Sequence, residues 1–285
     1  MTRTLRRAVV PAFVLALVLV LSGCVQVPIS AEAILQPKAS VTPASFSHPE
    51  ASLEEFFFTG RDGTEINAWY LSRPDAEATV LFFGGYGFYL VQSTDYLSVF
   101  LDQGVNAMLW DYRGYGRSEG EPTVETMKAD ALRAYDELVA RYADGGSPII
   151  LHGHSLGTFV ASYVASERQV DGVVLESPIT QPEDWAKTVV PWYLRLLLRF
   201  DIDAGIRDED NRRRLSTVQA PLLLLAGGED FIAPVALAER LYENAASEEK
   251  RMTVLEEGGH ADLMTFPRYQ ESYRWLISRA GESVR

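Results

Sequence analysis

The sequence predicts an α/β domain built on a mainly parallel sheet with helices on both faces. Two observations carry that expectation. Short apolar runs alternate with segments of helical period, and one run, Pro148-Ile149-Ile150-Leu151, leads through Gly153-His154-Ser155-Leu156-Gly157 into a helix-like stretch from Thr158 to Ala165. That strand-turn-helix setting gives the G-x-S-x-G spelling its chemical meaning. No motif repeats at a fixed period, so a solenoid is excluded.

The chain has 285 residues, 47% hydrophobic and 23% charged, enough to bury a sizeable core. Its formal net charge of −13 argues against nucleic acid or an anionic lipid surface as the main partner. The first residues read as a targeting segment, with Arg3, Arg6 and Arg7 ahead of an apolar run from Ala8 to Leu21. The run ends in Leu21-Ser22-Gly23-Cys24, and Cys24 is the only cysteine. This resembles the lipobox of bacterial lipoproteins, which implies a signal peptide over 1–23, a lipidated Cys24 and a protein anchored to a membrane on the extracytoplasmic side of a bacterial cell envelope. Several acyl chains on one residue give stable anchoring where one is marginal. Loss of the three arginines leaves 23 of the 26 basic residues against 39 acidic ones.

Residues 24–52 turn to Pro, Ser and Ala, with Pro28, Pro37, Pro43 and Pro49 spaced through them, and read as a semi-extended tether that includes His48. The domain proper spans 53–285. It opens with two β-like runs, Glu54 to Thr59 and Ile66 to Ser72, joined by Gly60-Arg61-Asp62-Gly63 in a hairpin. An apolar strand from Thr79 to Phe83 enters Gly84-Gly85-Tyr86-Gly87, and a helix-like segment follows to about Gln103. Val105 to Trp110 is the next strand, ending in a glycine-rich loop that Asp111 is expected to brace against Arg113. A helix capped by Thr123 or Thr126 carries the apolar stripe Met127, Ala131, Leu132, Tyr135, Leu138 and Val139.

Beyond the serine turn, Gly172 to Leu175, Pro221 to Ala226 and Arg251 to Leu255 read as buried strands, and Pro267 to Arg279 as a closing helix. The interval of about 180–219 is longer than a simple crossover needs. Its cluster of Trp185, Trp192, Tyr193 and several leucines, followed by a charged stretch, predicts a small helical cap that supplies an apolar pocket.

A serine hydroxyl is a poor nucleophile at neutral pH, so Ser155 needs a base and the base needs a holder. His152 and His154 are tied to the strand and turn, and His48 to the tether, which leaves His260, after the last strand and two glycines, as the base. Asp230, at the end of the penultimate strand, is the acid, with Glu176 as its rival; Glu229 reads as a solvated neighbour and Asp262 as a helix cap. The Leu156 amide at the helix start is one oxyanion donor. The Tyr86 amide is the second, with Gly85 in reserve. No histidine or carboxylate cluster has metal-ligand spacing and no cofactor is expected.

From about residue 54 onward the chain resembles the α/β-hydrolase superfamily, and within it the small serine hydrolases related to protein depalmitoylating thioesterases and their bacterial relatives. The resemblance rests on Phe82-Phe83-Gly84-Gly85-Tyr86, the Asp111 to Gly120 loop, the Gly153 to Gly157 turn, Glu176-Ser177-Pro178, the Asp230 to Pro234 segment and Gly259-His260. Many relatives carry His-Gly-Asn where this chain has Gly84-Gly85-Tyr86. The resemblance implies the α/β-hydrolase fold with a small helical cap, and cleavage of carboxylic esters or thioesters of a small-molecule or lipid-like acyl substrate through an acyl-enzyme on Ser155. A peptidase or an acyltransferase on the same residues, and a non-catalytic anchored binding protein, are the alternatives at this stage. Chemistry that uses an aspartate nucleophile is disfavoured because Ser155 fills that position.

Overall fold

The structure, a computed structural model, describes residues 25–29, 48–90, 93–142, 146–190, 193 and 198–283. The signal segment, Cys24 and most of the tether lie outside the described residues. Among the described residues no helix is long and apolar enough to cross a membrane.

Among the described residues ten strands and eight α-helices follow in order. β1 is Val25–Ile29, β2 Ser52–Thr59, β3 Glu65–Ser72 and β4 Thr79–Phe83; α1, Thr94–Asp102, leads to β5, Asn106–Trp110. After α2, Val124–Tyr142, come β6, Ile149–His154, α3, Gly157–Glu167, and β7, Gly172–Glu176. The long interval holds α4, Pro182–Val189, β8, Leu198–Ile202, α5, Ala204–Arg207, and α6, Asn211–Leu215. β9, Leu222–Gly227, α7, Val235–Asn244, β10, Lys250–Leu255, and α8, Pro267–Ser283, complete the chain.

Eight strands form one sheet in the order β10-β9-β7-β6-β4-β5-β3-β2. The six from β10 to β5 are parallel, and the opening hairpin closes the edge antiparallel, β3 on β5 and β2 on β3. Side chains alternate between two cores, as the pleat demands. In β4, Leu81 and Phe83 face the core covered by α2 and α3, while Val80 and Phe82 face the one covered by α1 and α8. The start of α2 is held reciprocally: the Thr126 amide donates to Thr123 Oγ1 at 3.1 Å and the Thr123 amide to Thr126 Oγ1 at 3.0 Å.

Three expectations are corrected. The interval between β7 and β9 is not wholly helical, because β8 lies within it. Leu198-Arg199-Phe200-Asp201-Ile202 alternates apolar and charged residues, a strand period rather than a helical one. The segment after Cys24 is not all extended tether: β1 pairs in parallel with β8, Val25 opposite Leu198 through Ile29 opposite Ile202. Val25-Gln26-Val27-Pro28-Ile29 carries the same two-residue alternation. Third, Asp111 braces its glycine-rich loop, but not against Arg113.

The Asp111 carboxylate instead accepts the Leu90 amide at 2.8 Å and the Arg117 amide at 3.3 Å, and its own carbonyl accepts the Ser118 hydroxyl. It thereby ties the loop after β4 to the loop after β5. Burial pushes its pKa up to about 6, against the pull of the two amides. Arg113 faces the other way, donating to Asp130 at 2.5 and 2.9 Å, to Asp62 in the hairpin turn at 2.6 and 2.9 Å, and to Thr64.

Asp130 is only 1% exposed, so Arg113→Ala strands a buried charge and is expected to cost about 3–5 kcal/mol in urea unfolding. Removing both partners together should cost less than the sum of the single losses. For Asp111 the sign follows from the raised pKa: between about pH 4 and pH 6 the folded chain keeps a proton that the unfolded chain releases. Its contribution to stability is therefore present below the unfolded value and lost as pH rises through 6. Comparing urea midpoints at pH 4, 5, 6 and 7, Asp111→Asn should flatten that decline.

Candidate active site

Ser155 sits at φ +52, in the left-handed region that residues other than glycine rarely adopt. The turn is held by the Ser155 amide donating to the Glu176 carbonyl at 2.9 Å, and by the Thr158 amide and hydroxyl donating to the Ser155 carbonyl at 3.0 and 2.6 Å. Its glycines are required by close approach. A Cβ on Gly153 would lie 2.4 Å from the Gly157 carbonyl oxygen, and one on Gly157 only 1.9 Å from the carbonyl oxygen of Phe83 in β4.

The turn delivers the Ser155 hydroxyl to His260, whose Nε2 lies 2.9 Å from Oγ. His260 Nδ1 lies 2.8 Å from Asp230 Oδ2. A carboxylate only accepts, so the proton sits on Nδ1 and Nε2 is left as the acceptor for the serine hydroxyl. The arrangement can take a proton from Ser155 in one step. Burial pushes the Asp230 pKa up, but hydrogen bonds from His260 and from the Ala233 and Ile232 amides, each amide at 2.8 Å, hold it below its ordinary value.

Glu176, the rival acid, is directed elsewhere. Its carboxylate accepts from His152 Nε2 at 3.0 Å and from the Tyr269 hydroxyl at 3.3 Å, fully buried behind the serine turn. Glu229 is exposed, as expected. Asp262 does not cap a helix with its side chain; it accepts the Gly259 amide at 2.7 Å and so closes the loop that bears His260.

Two residues that sequence reasoning left without this role hold the same loop from behind. The His260 carbonyl accepts from His154 Nε2 at 2.9 Å and from the Ser177 hydroxyl at 3.2 Å. Because a carbonyl cannot donate, His154 carries its proton on Nε2, and burial lowers its pKa so that the ring stays neutral. Ser177 is the second residue at positive φ on a strand end, +47, with its amide on the Leu225 carbonyl at 2.8 Å. The Glu-Ser-Pro spelling after β7 was the available signal.

Leu156 stands at the N-terminus of α3, where helical amides point outward without an intrahelical acceptor. On the facing loop, Gly85 packs directly on the serine: a Cβ there would be 3.3 Å from the Ser155 Cβ and 3.0 Å from His154 Nδ1. Tyr86 is half-exposed and lines the pocket. The loop is braced by the Tyr112 hydroxyl donating to the Gly84 carbonyl at 3.1 Å and by Asp111 on the Leu90 amide.

The three polar residues open into a cavity of about 480 Å³. Besides Ser155, His154 and His260, it is lined by Tyr86, Leu156, Phe159, Ile179, Pro182, Trp185, Ile232 and Ala261. Pro182 and Trp185 come from α4, so the interval between β7 and β9 does contribute apolar wall. Trp185 Nε1 donates to the Ile232 carbonyl at 2.7 Å, fastening α4 to the loop after β9.

The serine aminopeptidase (S33) family of hydrolases matches residues 74–216 and 207–264. An uncharacterised protein of Mycobacterium tuberculosis is 33% identical over 230 residues, covering 79% of this chain and 78% of its own length. An uncharacterised membrane protein of Saccharomyces cerevisiae is 27% identical, covering 80% of each chain. Among solved structures, an esterase of Pyrococcus furiosus superposes with a TM-score of 0.65 at 20% identity, covering 85% of this chain and 98% of its own. With the parallel sheet, the serine turn and the matched span together, the chain belongs to the serine aminopeptidase (S33) family of hydrolases and has the α/β-hydrolase fold.

Proposed function

We propose that this hydrolase is a serine enzyme that cleaves carboxylic esters or thioesters through an acyl-enzyme on Ser155, with His260 as base and Asp230 as its orienting acid. The observation that carries the reading is the continuous relay from Ser155 Oγ to His260 to Asp230 at the floor of an apolar cavity. Ser155 Oγ attacks the acyl carbon while its proton passes to His260 Nε2, and the carbonyl electron pair moves onto oxygen. The oxyanion is met by the Leu156 amide and by the loop after β4, through the Tyr86 amide or that of Gly85. Collapse breaks the bond to the leaving alcohol or thiol, which takes the proton from His260. Water then attacks the acyl-enzyme by the same route and releases the acid.

An aminopeptidase must hold the α-ammonium group of its substrate, and such a charge in an apolar site needs a carboxylate partner. Among the described residues that line the cavity, none carries one. That supports an acyl ester or thioester over a peptide amine, and the apolar lining supports a small or lipid-like acyl group.

The same reading places the enzyme on a membrane through acylated Cys24, outside the cytoplasm of a bacterial cell. What supports it is the sequence before residue 25: three arginines, an apolar run and a sole cysteine after Ser22-Gly23. Cys24→Ala should abolish incorporation of labelled palmitate and move the protein from the membrane to the soluble fraction.

For the chemistry, a fluorophosphonate probe should label the full chain, and Ser155→Ala and His260→Ala should each abolish labelling in folded protein. Labelling that survives Ser155→Ala, or absent labelling of the folded wild type, sinks the reading. Asp230→Asn leaves space and shape but removes the carboxylate that fixes the His260 tautomer, so kcat on p-nitrophenyl esters should fall by about 10³–10⁴-fold.

A further inference from the structure

Large apolar side chains left in water beside a cavity mark a surface that meets something. Among the described residues, Tyr86, Phe231 and Ile232 are 52%, 87% and 47% exposed. Tyr86 and Ile232 line the cavity, and Phe231 precedes Ile232 on the loop after β9. Phe231 is presented on a rigid turn. On one side Asp230 is fixed by its amide on the Gly227 carbonyl and its carboxylate on the Ile232 and Ala233 amides; on the other, Trp185 holds the Ile232 carbonyl.

A second, independent observation says which way that rim faces. β1 begins one residue after Cys24 and pairs along its whole length with β8, and β8 packs against α4, the helix that supplies Pro182 and Trp185 to the cavity. A free segment over 24–52 could reach about 95 Å from its anchor. With β1 paired, a chain fixed at Cys24 is tied instead to the cavity side of the molecule. One residue, one strand spacing and one helix-packing distance separate anchor from α4, about 20 Å in all. From Cys24 onward the chain holds 23 basic and 39 acidic residues, a balance that opposes anionic headgroups and leaves apolar contact as the attraction.

We infer that Tyr86, Phe231 and Ile232 insert as an apolar rim into the bilayer that carries the Cys24 anchor, so that the cavity opens onto the membrane interface and takes its acyl substrate from the lipid phase. The inference rests on the reading of Cys24 as acylated and of Ser155 as the nucleophile, and deepens it by assigning the source of substrate.

Acylation of Cys24, the only cysteine, leaves the thiol of Phe231→Cys as the single site for an environment-sensitive fluorophore, NBD. The full-length labelled protein, reconstituted in phosphatidylcholine vesicles, should show blue-shifted emission that brominated phosphatidylcholine quenches. The same label at Glu77→Cys, ahead of β4 at the far end of the sheet, should stay water-like. Water-like emission at position 231 overturns the inference, including the case where the rim meets a protein instead. In activity, Phe231→Asp should lower hydrolysis of a vesicle-borne fluorogenic acyl ester at least about tenfold while changing p-nitrophenyl acetate hydrolysis less than about twofold. Equal effects on both substrates, or none, also overturn it. Failure of the underlying readings looks different: an unacylated Cys24 shows as two labels per chain, and a wrong nucleophile as fluorophosphonate labelling that survives Ser155→Ala while the emission at 231 is unchanged.

Discussion

Everything at this site depends on how closely three backbone segments meet at the serine turn. The Gly157 Cα lies so near the Phe83 carbonyl of β4, and the Gly153 Cα so near Gly157 itself, that a single methyl at either position would overlap main chain. That crowding keeps Ser155 at φ +52, a conformation of order 1–3 kcal/mol above the ordinary wells. The strain is held because β6 is central in the sheet, with β4 on one side and β7 on the other. From this one constraint follow the exposure of the hydroxyl to His260, the outward-pointing amide of Leu156 at the start of α3, and the contact of Gly85 with the serine.

His260 is positioned by a different device. His260 lies on a loop, where position is not set by a sheet register, and the fold compensates with hydrogen bonds from several elements. His154 from the serine turn and Ser177 from the end of β7 both donate to its carbonyl, Asp262 holds the preceding Gly259 amide, and Asp230 from the end of β9 takes the ring proton. Three adjacent strand ends thus fix one imidazole. The neutral state of His154 matters to the proposed mechanism, because a charged ring 5.2 Å from His260 would oppose the imidazolium that proton transfer from Ser155 would create.

Much of this was legible in the sequence because the signals are local. Gly153 and Gly157 announce a close approach, apolar runs announce buried parallel strands, and a histidine after Gly258-Gly259 announces a free loop at a strand end. What was not legible depended on direction or on distant pairing. Asp111 and Arg113 are two residues apart with opposite charges, and their spacing invites a pair; the glycine-rich loop turns them apart, one inward to the Leu90 amide and one outward to Asp62 and Asp130. Glu176 and Asp230 both end strands beside the serine, and only the register, which buries Glu176 against His152, separates their roles. The alternation in Val25–Ile29 and in Leu198–Ile202 was present to be read. Each segment is five residues long, set among prolines in one case and within a leucine-rich stretch in the other, and neither makes a strand until it meets its partner some 170 residues away.

That last pairing changes how the interval between β7 and β9 is best understood. Considered alone, it is a crossover enlarged to cover a cavity. Joined to β1, it becomes the junction between the hydrolase domain and the chain that precedes it. Trp185 extends the junction to the Ile232 carbonyl, and Ile232 in turn donates its amide to Asp230. A path of backbone pairing from β1 to β8, packing of β8 on α4, and hydrogen bonds from Trp185 to Ile232 and from Ile232 to Asp230 therefore runs from Val25 to Asp230. The chain that precedes the domain therefore meets it through β1 at the wall of the cavity, beside α4, and not at the far side of the sheet.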